Sequence, residues 1–474
     1  MKKNYLLGLI VVGLISLSVY STYAMFTSSV ETNDIVSLSA STLPTNSEIV
    51  EYERLTIKSK EKKVIEYTVN NNTDNSLYYG VWYEMINPSS INEDIVIGKS
   101  EDTQSDTLGQ LSSGSNAKVL FVIENKTDSN IIVNVGVGYS ETSSLNLPTN
   151  RNLITEIYEE SVLATEYITE LYNNASKTTI TNNNINYSYA TSVGLMNDRL
   201  GGTTTSLDGG NIRYYGANSN NYIWFNNELW RIIGVFDVAS TYGGPTEKRL
   251  KIIRDEPIGN YSWDNKPSGT GSSTSGNGSN DWTDCVLMEV LNNGPYWNRT
   301  SGTCPSGLNG ATTSCDFSSI GLTSDAKVLI DDAIWNLGGS SKITGLYADD
   351  YYAFERGTKV YSGRKTEWKG KIALMYPSDY LYSSNLGSCT SNGYYWDTSG
   401  CADTSWLFDS QYEWLLSPDS YVPDEAFYVY NSGYVLTNRK IANSSASRPA
   451  LYLKSTVLIT GGDGSSSNPY ILSI

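Results

Sequence analysis

The sequence predicts a multidomain, β-rich protein in which an all-β sandwich precedes an α+β domain with few regular elements. Three observations support this fold class. Short runs of alternating apolar and polar residues occupy the first third of the chain, one segment then shows helical periodicity, and the long C-terminal part is dense in aromatic residues, glycine and turn dipeptides. With 474 residues, the chain is long enough for two or three domains with separate cores.

Residues 1–26 are predicted to be an export segment. Lys2 and Lys3 precede an apolar stretch over 5–26, and the Thr-Tyr-Ala triplet ending at Ala24 has the small residues that a signal peptidase recognises. Two outcomes stay open: cleavage after Ala24, or a retained anchor that crosses the membrane through residues 5–26. In both cases we expect the remainder on the extracellular side of the cytoplasmic membrane, anchored or secreted to the cell surface.

The composition argues against several classes of function. The chain has no histidine, which removes Ser-His-Asp and Cys-His catalysis and histidine metal ligands. Its net charge of −17 argues against nucleic acid, because that binding depends on Lys and Arg neutralising phosphates. The same charge argues against peripheral binding to anionic lipid. We expect neither a cofactor nor a metal.

Residues 27–148 are predicted to form a β-sandwich that serves as a spacer. The runs with period two are 63–69, 77–83, 118–123 and 131–137. Polar turn clusters such as 70–75 separate them, and no helical stretch intervenes. Short strands at this spacing are typical of a sandwich.

The start of this domain suggests an alternative function. Residues 23–27 (YAMFT) followed by 36–40 (VSLSA) resemble the exported camelysin-like and biofilm-fibre proteins. That resemblance implies a dedicated signal peptidase and assembly at the surface. The alternative is therefore a structural envelope or fibre subunit, and self-assembly would distinguish it from a spacer.

Residues 149–177 are predicted to be a linker followed by an amphipathic helix. Over 151–174, apolar residues recur at three- and four-residue spacing with glutamates between them. The pattern runs for about three heptads, which is the lower limit for a paired coiled coil. We therefore expect the helix to pack against a neighbouring domain.

Residues 178–474 are predicted to form the α+β domain. Two strands flank an Asn226-Asn227 turn, and 248–254 supplies a third strand. Helices are expected at 282–293 and at 324–337, the second capped by Ser324 or Asp325. Short strands and loops follow.

A family resemblance is carried by four segments of this domain in fixed order: 368–375 (WKGKIALM), 414–418 (WLLSP), 433–435 (GYV) and 447–453 (SRPALYL). Together they resemble an uncharacterised surface domain of Gram-positive bacteria. That domain is similar to the C-type-lectin-like fold of formylglycine-generating enzymes and of retroelement-diversified receptor proteins. The resemblance covers about 250 residues and implies that late loops and strands form a ligand surface.

The five cysteines all lie between Cys285 and Cys401. Cys304 and Cys315 bracket a polar loop, as do Cys389 and Cys401, and we predict a structural disulfide in each pair because the chain is expected outside the cell. The formylglycine-generating enzymes use a close cysteine pair, but the late pair here flanks a Gly/Ser/Tyr loop. Cys285 is predicted to be a buried free thiol.

An extracellular enzyme is the least favoured class. The paired carboxylates Asp331-Asp332 and Asp349-Asp350 are adjacent residues that point in different directions, so neither pair supplies a matched acid and nucleophile. We predict no catalytic residues. A buried carboxylate pair about 5 to 9 Å apart in a cleft would change this interpretation.

The leading hypothesis is a non-catalytic ligand-binding or adhesion protein displayed on the cell surface. Its ligand is expected to be a host or bacterial glycan or protein. In the strand 426–431 we predict Phe427 and Val429 in the core and Tyr428 and Tyr430 exposed. The predicted ligand-binding residues are Tyr421, Tyr428, Tyr430, Asn431, Tyr434, Asn438 and Arg439.

Overall fold

The computed structural model describes residues 36–41, 52–92, 94–100, 103–141, 145, 147–158, 162–198, 210–267, 278–396 and 399–473. The predicted export segment, 1–26, lies outside these residues. Among the described helices, none is long and apolar enough to cross a membrane. Strands account for 41% and helices for 14%, which confirms a β-rich fold. The chain divides into two compact units, Met1–Glu160 and Ser161–Ile474, so the division falls inside the predicted connector 149–177.

Among the described residues, the first unit contains nine strands. They are β1 (Val36–Ser41), β2 (Tyr52–Ile57), β3 (Glu61–Asn70), β4 (Leu77–Asn87), β5 (Ile95–Lys99), β6 (Leu108–Leu111), β7 (Asn116–Asn125), β8 (Ile131–Ser140) and β9 (Asn152–Leu153). One sheet has the order β1-β3-β7-β5, and the other has the order β2-β8-β4-β6, with β9 also paired to β4. The first eight strands therefore alternate between the two sheets along the chain.

One apolar core joins the two sheets. In β3 the buried positions are every second residue, Ile65, Tyr67 and Val69, as the alternating sequence predicts. Phe121 of β7 and Val133 of β8 belong to the same cluster of buried residues, although their strands lie in different sheets. The expected sandwich-like pair of sheets is therefore present.

Two connections between the sheets are built in the same way. Asn71, after β3, donates its Nδ2 to the carbonyls of Asn75, Leu111 and Ser112, and its Oδ1 accepts from the Thr73 backbone and hydroxyl. Asn125, at the end of β7, makes the corresponding bonds to the carbonyls of Ile57, Lys58 and Ser129 and accepts from Thr127. Both asparagines are fully buried, so each turn is organised around one side chain.

The predicted helix over 151–174 is only partly helical. Its first part is extended: β9 pairs with β4, and the backbone of Tyr158 donates to the carbonyl of Lys99. Ile154 is buried in the core of the first unit. The apolar residues of this part match helical spacing, but they complete the sandwich because β4 offers backbone partners. The helix itself, α1, covers Ala164–Asn174.

The second unit contains both helices and strands. After α1, its helices are α2 (Val286–Asn292), α3 (Pro295–Asn298), α4 (Ser324–Val328), α5 (Ala348–Glu355) and α6 (Pro377–Tyr382). Its strands are β10 (Val162–Leu163), β11 (Thr178–Asn182), β12 (Ile185–Ala190), β13 (Leu195–Asn197), β14 (Ile212–Tyr214), β15 (Tyr222–Phe225), β16 (Glu228–Ala239), β17 (Thr246–Arg254), β18 (Asn260–Ser262), β19 (Ser301–Pro305), β20 (Thr312–Asp316), β21 (Ala333–Asn336), β22 (Glu367–Gly370), β23 (Ile372–Ala373), β24 (Glu413–Pro418), β25 (Glu425–Val429), β26 (Val435–Lys440), β27 (Ser444–Ala446), β28 (Ala450–Tyr452), β29 (Leu458–Gly461) and β30 (Ile471–Ser473).

Two larger sheets organise this unit. The nine-stranded sheet has the order β11-β12-β13-β14-β16-β17-β28-β23, with β15 on β16, and the five-stranded sheet has the order β18-β27-β24-β25-β26. The predicted hairpin turn joins β15 and β16, with Asn226 and Asn227 at φ 59° and 62°. Asparagine tolerates this left-handed conformation, which a two-residue hairpin turn requires. The smaller β19–β20 hairpin carries the predicted disulfide between Cys304 and Cys315.

The second predicted helix, 324–337, ends early. Only α4 is helical, and its cap is Thr323, whose side chain accepts from the Ala326 N–H. Residues 333–336 form β21, in which Trp335 lies opposite Trp368 of β22. The alternation Ala-Ile-Trp-Asn with buried Ala333 and Trp335 suits a strand, and a cross-strand partner was available to stabilise it.

Candidate ligand-binding face

The predicted ligand-binding residues come from the β24–β26 part of the five-stranded sheet. This sheet is fixed from beneath by a buried ion pair, in which Arg448 donates from Nε and Nη2 to the two carboxylate oxygens of Glu413, at 2.5 and 2.6 Å. Burial raises the pKa of Glu413 to about 7, although Arg448 opposes the shift. Trp414, next along β24, donates its indole N–H to the Tyr261 carbonyl at 2.9 Å. These buried contacts hold β24, the strand beside which the predicted ligand-binding residues lie.

Six tyrosines form a continuous series of ring contacts along this face. We call this series the tyrosine ladder; its members are, in spatial order, Tyr395, Tyr394, Tyr434, Tyr430, Tyr412 and Tyr428. Successive ring centroids lie 5.0, 6.0, 5.9, 4.8 and 6.3 Å apart. Most contacts are edge-to-face or tilted, the arrangements that aromatic quadrupoles favour. Tyr395 is half exposed, and the next four rings are partly exposed.

The middle of the ladder lies on the hairpin between β25 and β26. The backbone of Tyr430 donates to the Tyr434 carbonyl, and Gly433 donates back to Tyr430. Gly433 has φ 104°, and an added Cβ would lie 2.4 Å from the Ala402 Cβ. Only glycine therefore fits, because the turn needs a left-handed backbone and packs directly on Ala402. The Tyr380 hydroxyl donates to the Gly433 carbonyl and fixes the hairpin tip.

The far end of the ladder belongs to the loop between Cys389 and Cys401. Both cysteines are buried, unbonded thiols, so the predicted second disulfide is not formed in this structure. The interaction of the two thiols lowers the pKa of Cys389 and raises the pKa of Cys401. The Cys389 sulfur also lies 3.3 Å from Thr404 Oγ1. Ser399 also donates to the Cys401 sulfur, at 3.1 Å. Both expected cysteines therefore remain free, buried thiols at the two ends of the polar loop.

The prediction that Tyr428 is exposed was wrong. Only 5% of Tyr428 is exposed, whereas Phe427 and Val429 are buried as expected. β24 and β26 flank β25 on its two edges, and Tyr412 stacks over the Tyr428 ring, so this ring is covered. Burial raises the pKa of Tyr428 to about 12. Its hydroxyl donates to Asn438 Oδ1 at 3.0 Å, which satisfies the polar end of a buried ring.

Arg439 covers the same end of the ladder. Its guanidinium carbon lies 4.6 Å from the centre of the Tyr412 ring and 5.6 Å from that of Tyr428. The Nε group donates to Ser445 Oγ at 2.6 Å, and Nη2 donates to the Ser444 carbonyl at 2.9 Å. Asn438 and Arg439, two members of the predicted patch, therefore both contact Tyr428.

Tyr421 was predicted in the same patch, but it lies elsewhere. It is 78% exposed on the loop that joins the end of β24 to the start of β25, at the end of these strands opposite to the ladder hairpin. Asn280 holds that loop by donating Nδ2 to the carbonyls of Asp419, Val422 and Glu425. Asn431 is exposed within the ladder hairpin itself.

Sequence reasoning missed Tyr412, Tyr394 and Tyr395. Tyr412 immediately precedes β24, and the alternation of Tyr412 and Trp414 was a signal that could have placed both on one face. Tyr394 and Tyr395 follow Asn392, whose side chain accepts from the Tyr394 N–H and caps a short 3₁₀ turn over Gly393–Tyr395. No strand period links them to the sheet, so only the packing of the loop could reveal them.

Comparisons give no relatives for this arrangement: no family model, no curated protein and no solved structure matches the chain. Within the described residues, no group of three or more Cys, Asp or Glu side chains is placed to hold a metal ion. The chemistry that this face offers is therefore that of aromatic rings, hydroxyls and one guanidinium.

Proposed function

We propose that this chain is an exported, surface-displayed protein that binds ligand, without catalysis, through the tyrosine ladder. The observation that carries the proposal is the unbroken series of tyrosine rings, which is partly exposed and held on a buried support. Rigid tyrosines lose little conformational entropy on binding, and their hydroxyls add polar contacts. Such rings are common anchors of recognition surfaces.

We further propose that the second unit is a C-type-lectin-like domain. Support comes from its mixed composition with short elements and from the ordered segments that resemble that fold. The segments 368–375, 414–418 and 447–453 overlap β22–β23, β24 and β28. The segment 433–435 includes the end of the hairpin turn that carries the ladder. In this proposal the first unit is a spacer that displays the second.

The test is a glycan and protein array probed with the purified full chain in mild detergent. Tyr430→Ala and Tyr434→Ala each remove one ladder ring, and we expect affinity for any specific hit to fall by about tenfold or more. Tyr421→Ala is the matched control, because it removes an exposed tyrosine from the opposite end of the same strands. Loss of binding in the control alone, or no specific hit for a folded chain, would contradict the proposal.

A second candidate function is a structural fibre subunit. The observation that favours it is β1, which pairs in parallel with β3 at the edge of a sheet whose other pairings are antiparallel. Edge strands are templates for pairing between chains. In this alternative the full chain forms filaments, and Leu38→Pro prevents them because proline removes a backbone donor. A chain that stays monomeric at high concentration excludes this role.

A further inference from the structure

Arg439 is the one ladder-face cation that lacks an acidic partner. The neighbouring Lys440 pairs with Asp424 at 2.9 Å and with Glu425 at 3.0 Å. Arg439 forms no ion pair with any residue that the structure describes; its partners are two serine oxygens and the faces of aromatic rings. In a chain with a net charge of −17, this guanidinium is a local positive charge that no carboxylate of the described residues neutralises.

The geometry of this guanidinium leaves it ready to bind an anion. Nε and Nη2 donate to serine oxygens, while Nη1 has no hydrogen bond within the described residues. The π faces of Tyr412 and Tyr428 partly compensate the desolvated charge and hold the guanidinium plane in place. A fixed guanidinium matches the geometry of a carboxylate, and such charge-assisted hydrogen bonds are about twice as strong as neutral ones.

The rings beside Arg439 indicate what carries the anion. All members of the ladder are tyrosines. The five other than buried Tyr428 present aromatic rings and hydroxyls at the surface, and exposed Asn431 and Asn438 add amide groups. A sugar ring presents C–H groups on its face and hydroxyls around its edge, so it can stack on one tyrosine and hydrogen-bond to the next. Anchors of protein partners lie in well-packed, fully desolvated pockets, whereas this face is a row of partly exposed rings. The linear order of the rings suits a linear polymer.

We propose that the ligand of the tyrosine ladder is an acidic glycan, with a sugar carboxylate on Arg439 and the adjoining sugar rings along Tyr430, Tyr434 and Tyr395. This inference depends on the proposed function, because it names the ligand class of the same face. The negative net charge of the chain repels polyanions in general, so binding of an acidic polymer requires this local cation.

The test is an array on which each uronate- or sialate-bearing glycan stands beside its carboxyl-reduced counterpart, together with sulfated glycans and polyglutamate. We expect the full chain to bind carboxylated members about tenfold to a hundredfold more tightly than their reduced counterparts, the range for losing a charge-assisted hydrogen bond. This comparison changes the ligand alone, so it stands even if a variant fails to fold.

Variants then assign the effect to Arg439. Arg439→Gln should remove the preference for carboxylated glycans, and Arg439→Lys should weaken it because lysine lacks the planar fork. Lys440→Gln is the matched control: it removes the same charge from the next residue and should keep the preference. A preference retained in Arg439→Gln, or lost equally in Lys440→Gln, overturns the assignment.

The other outcomes separate this inference from the proposed function. Equal binding of acidic and carboxyl-reduced glycans would contradict the role of the carboxylate. It would still agree with a ladder that binds glycans. Stronger binding to sulfated members would indicate that the anion on Arg439 is a sulfate, which also contradicts the proposal. Polyglutamate bound as tightly as the glycans indicates an acidic protein ligand. The absence of any ladder-dependent binding removes the proposed function itself.

Discussion

At the scale of single residues, the second unit contains a group of buried charges that the ladder does not use. Asp379 accepts from Arg213 Nη1 at 2.8 Å and from Lys251 Nζ at 2.5 Å. Burial raises the pKa of Asp379, but Lys251 and Arg213 outweigh it and hold the value below normal. Burial lowers the pKa of Lys251 to about 8. Breaking such a pair is costly, because it leaves a charge without compensation.

Glu355 is the buried carboxyl of this group whose pKa is raised. It is fully buried and accepts from the backbone and hydroxyl of Ser378. Burial raises its pKa from 4.5 to about 7, with Arg356 opposing and Asp379 adding to the shift. The folded chain therefore holds this proton more tightly than the unfolded chain does. The resulting stability is complete below about pH 4.5 and is lost as the pH rises through about 7.

We predict that Glu355→Gln flattens the pH dependence of stability. Between pH 4.5 and 7.5, the free energy of unfolding of the wild type should fall by on the order of a few kcal/mol relative to the variant, because the buried carboxyl must ionise. The measurement is urea unfolding of both chains across this range. Glu170→Gln, an exposed change on α1, is the control and should run parallel to wild type. A constant difference between Glu355→Gln and wild type would contradict the prediction.

At the scale of elements, the two asparagine-centred turns share one sequence pattern. The segments 71–75 (NNTDN) and 125–129 (NKTDS) share the Asn-x-Thr-Asp pattern, and each follows a strand of one sheet and leads into the other. The side chain of each asparagine replaces the backbone partners that the turn cannot supply. A comparison of the chain with itself could therefore have revealed that the two connections are equivalent.

We predict that Asn71→Ala and Asn125→Ala destabilise the first unit by similar amounts, about 1–3 kcal/mol or more each, because buried carbonyls and an N–H lose their partner. Scanning calorimetry of the full chain and of each variant measures this loss. Asn75→Ala is the control for the first turn, since only the backbone of Asn75 takes part in it. A cost in the control equal to that of Asn71→Ala would show that the buried amide is unimportant.

At the scale of the whole molecule, the chain has two apolar cores that share no residue. The core of the first unit draws on residues 57–154, and that of the second draws on 164–470. Separate cores are the usual condition for separate cooperative units. The two sets of strands also occupy separate sheets.

We predict two unfolding transitions that single core substitutions shift one at a time. Phe121→Ala should lower the free energy of unfolding of the first unit by about 3–5 kcal/mol, and Leu416→Ala that of the second by about 2–5 kcal/mol, because both side chains are fully buried. Scanning calorimetry of the full chain measures both. Each variant serves as the control for the other. One cooperative transition moved by both substitutions would rule out independent units.

The sequence by itself determined the elements whose signal is local. Period-two runs specified β3, β4, β7 and β8, and the Asn226-Asn227 pair specified its hairpin, because strand alternation and left-handed turns depend on adjacent residues. Two members of the predicted patch, Tyr430 and Tyr434, lie with their ring centroids 5.9 Å apart.

Only the tertiary structure decided what depends on partners distant in sequence. Residues 152–158 became extended because β4 offered backbone partners, and Tyr428 became buried because Tyr412 covers it. Tyr394 joined the ladder through packing on Tyr434. In each case two conformations were compatible with the local sequence, and contacts between distant segments supplied the free energy that chose between them.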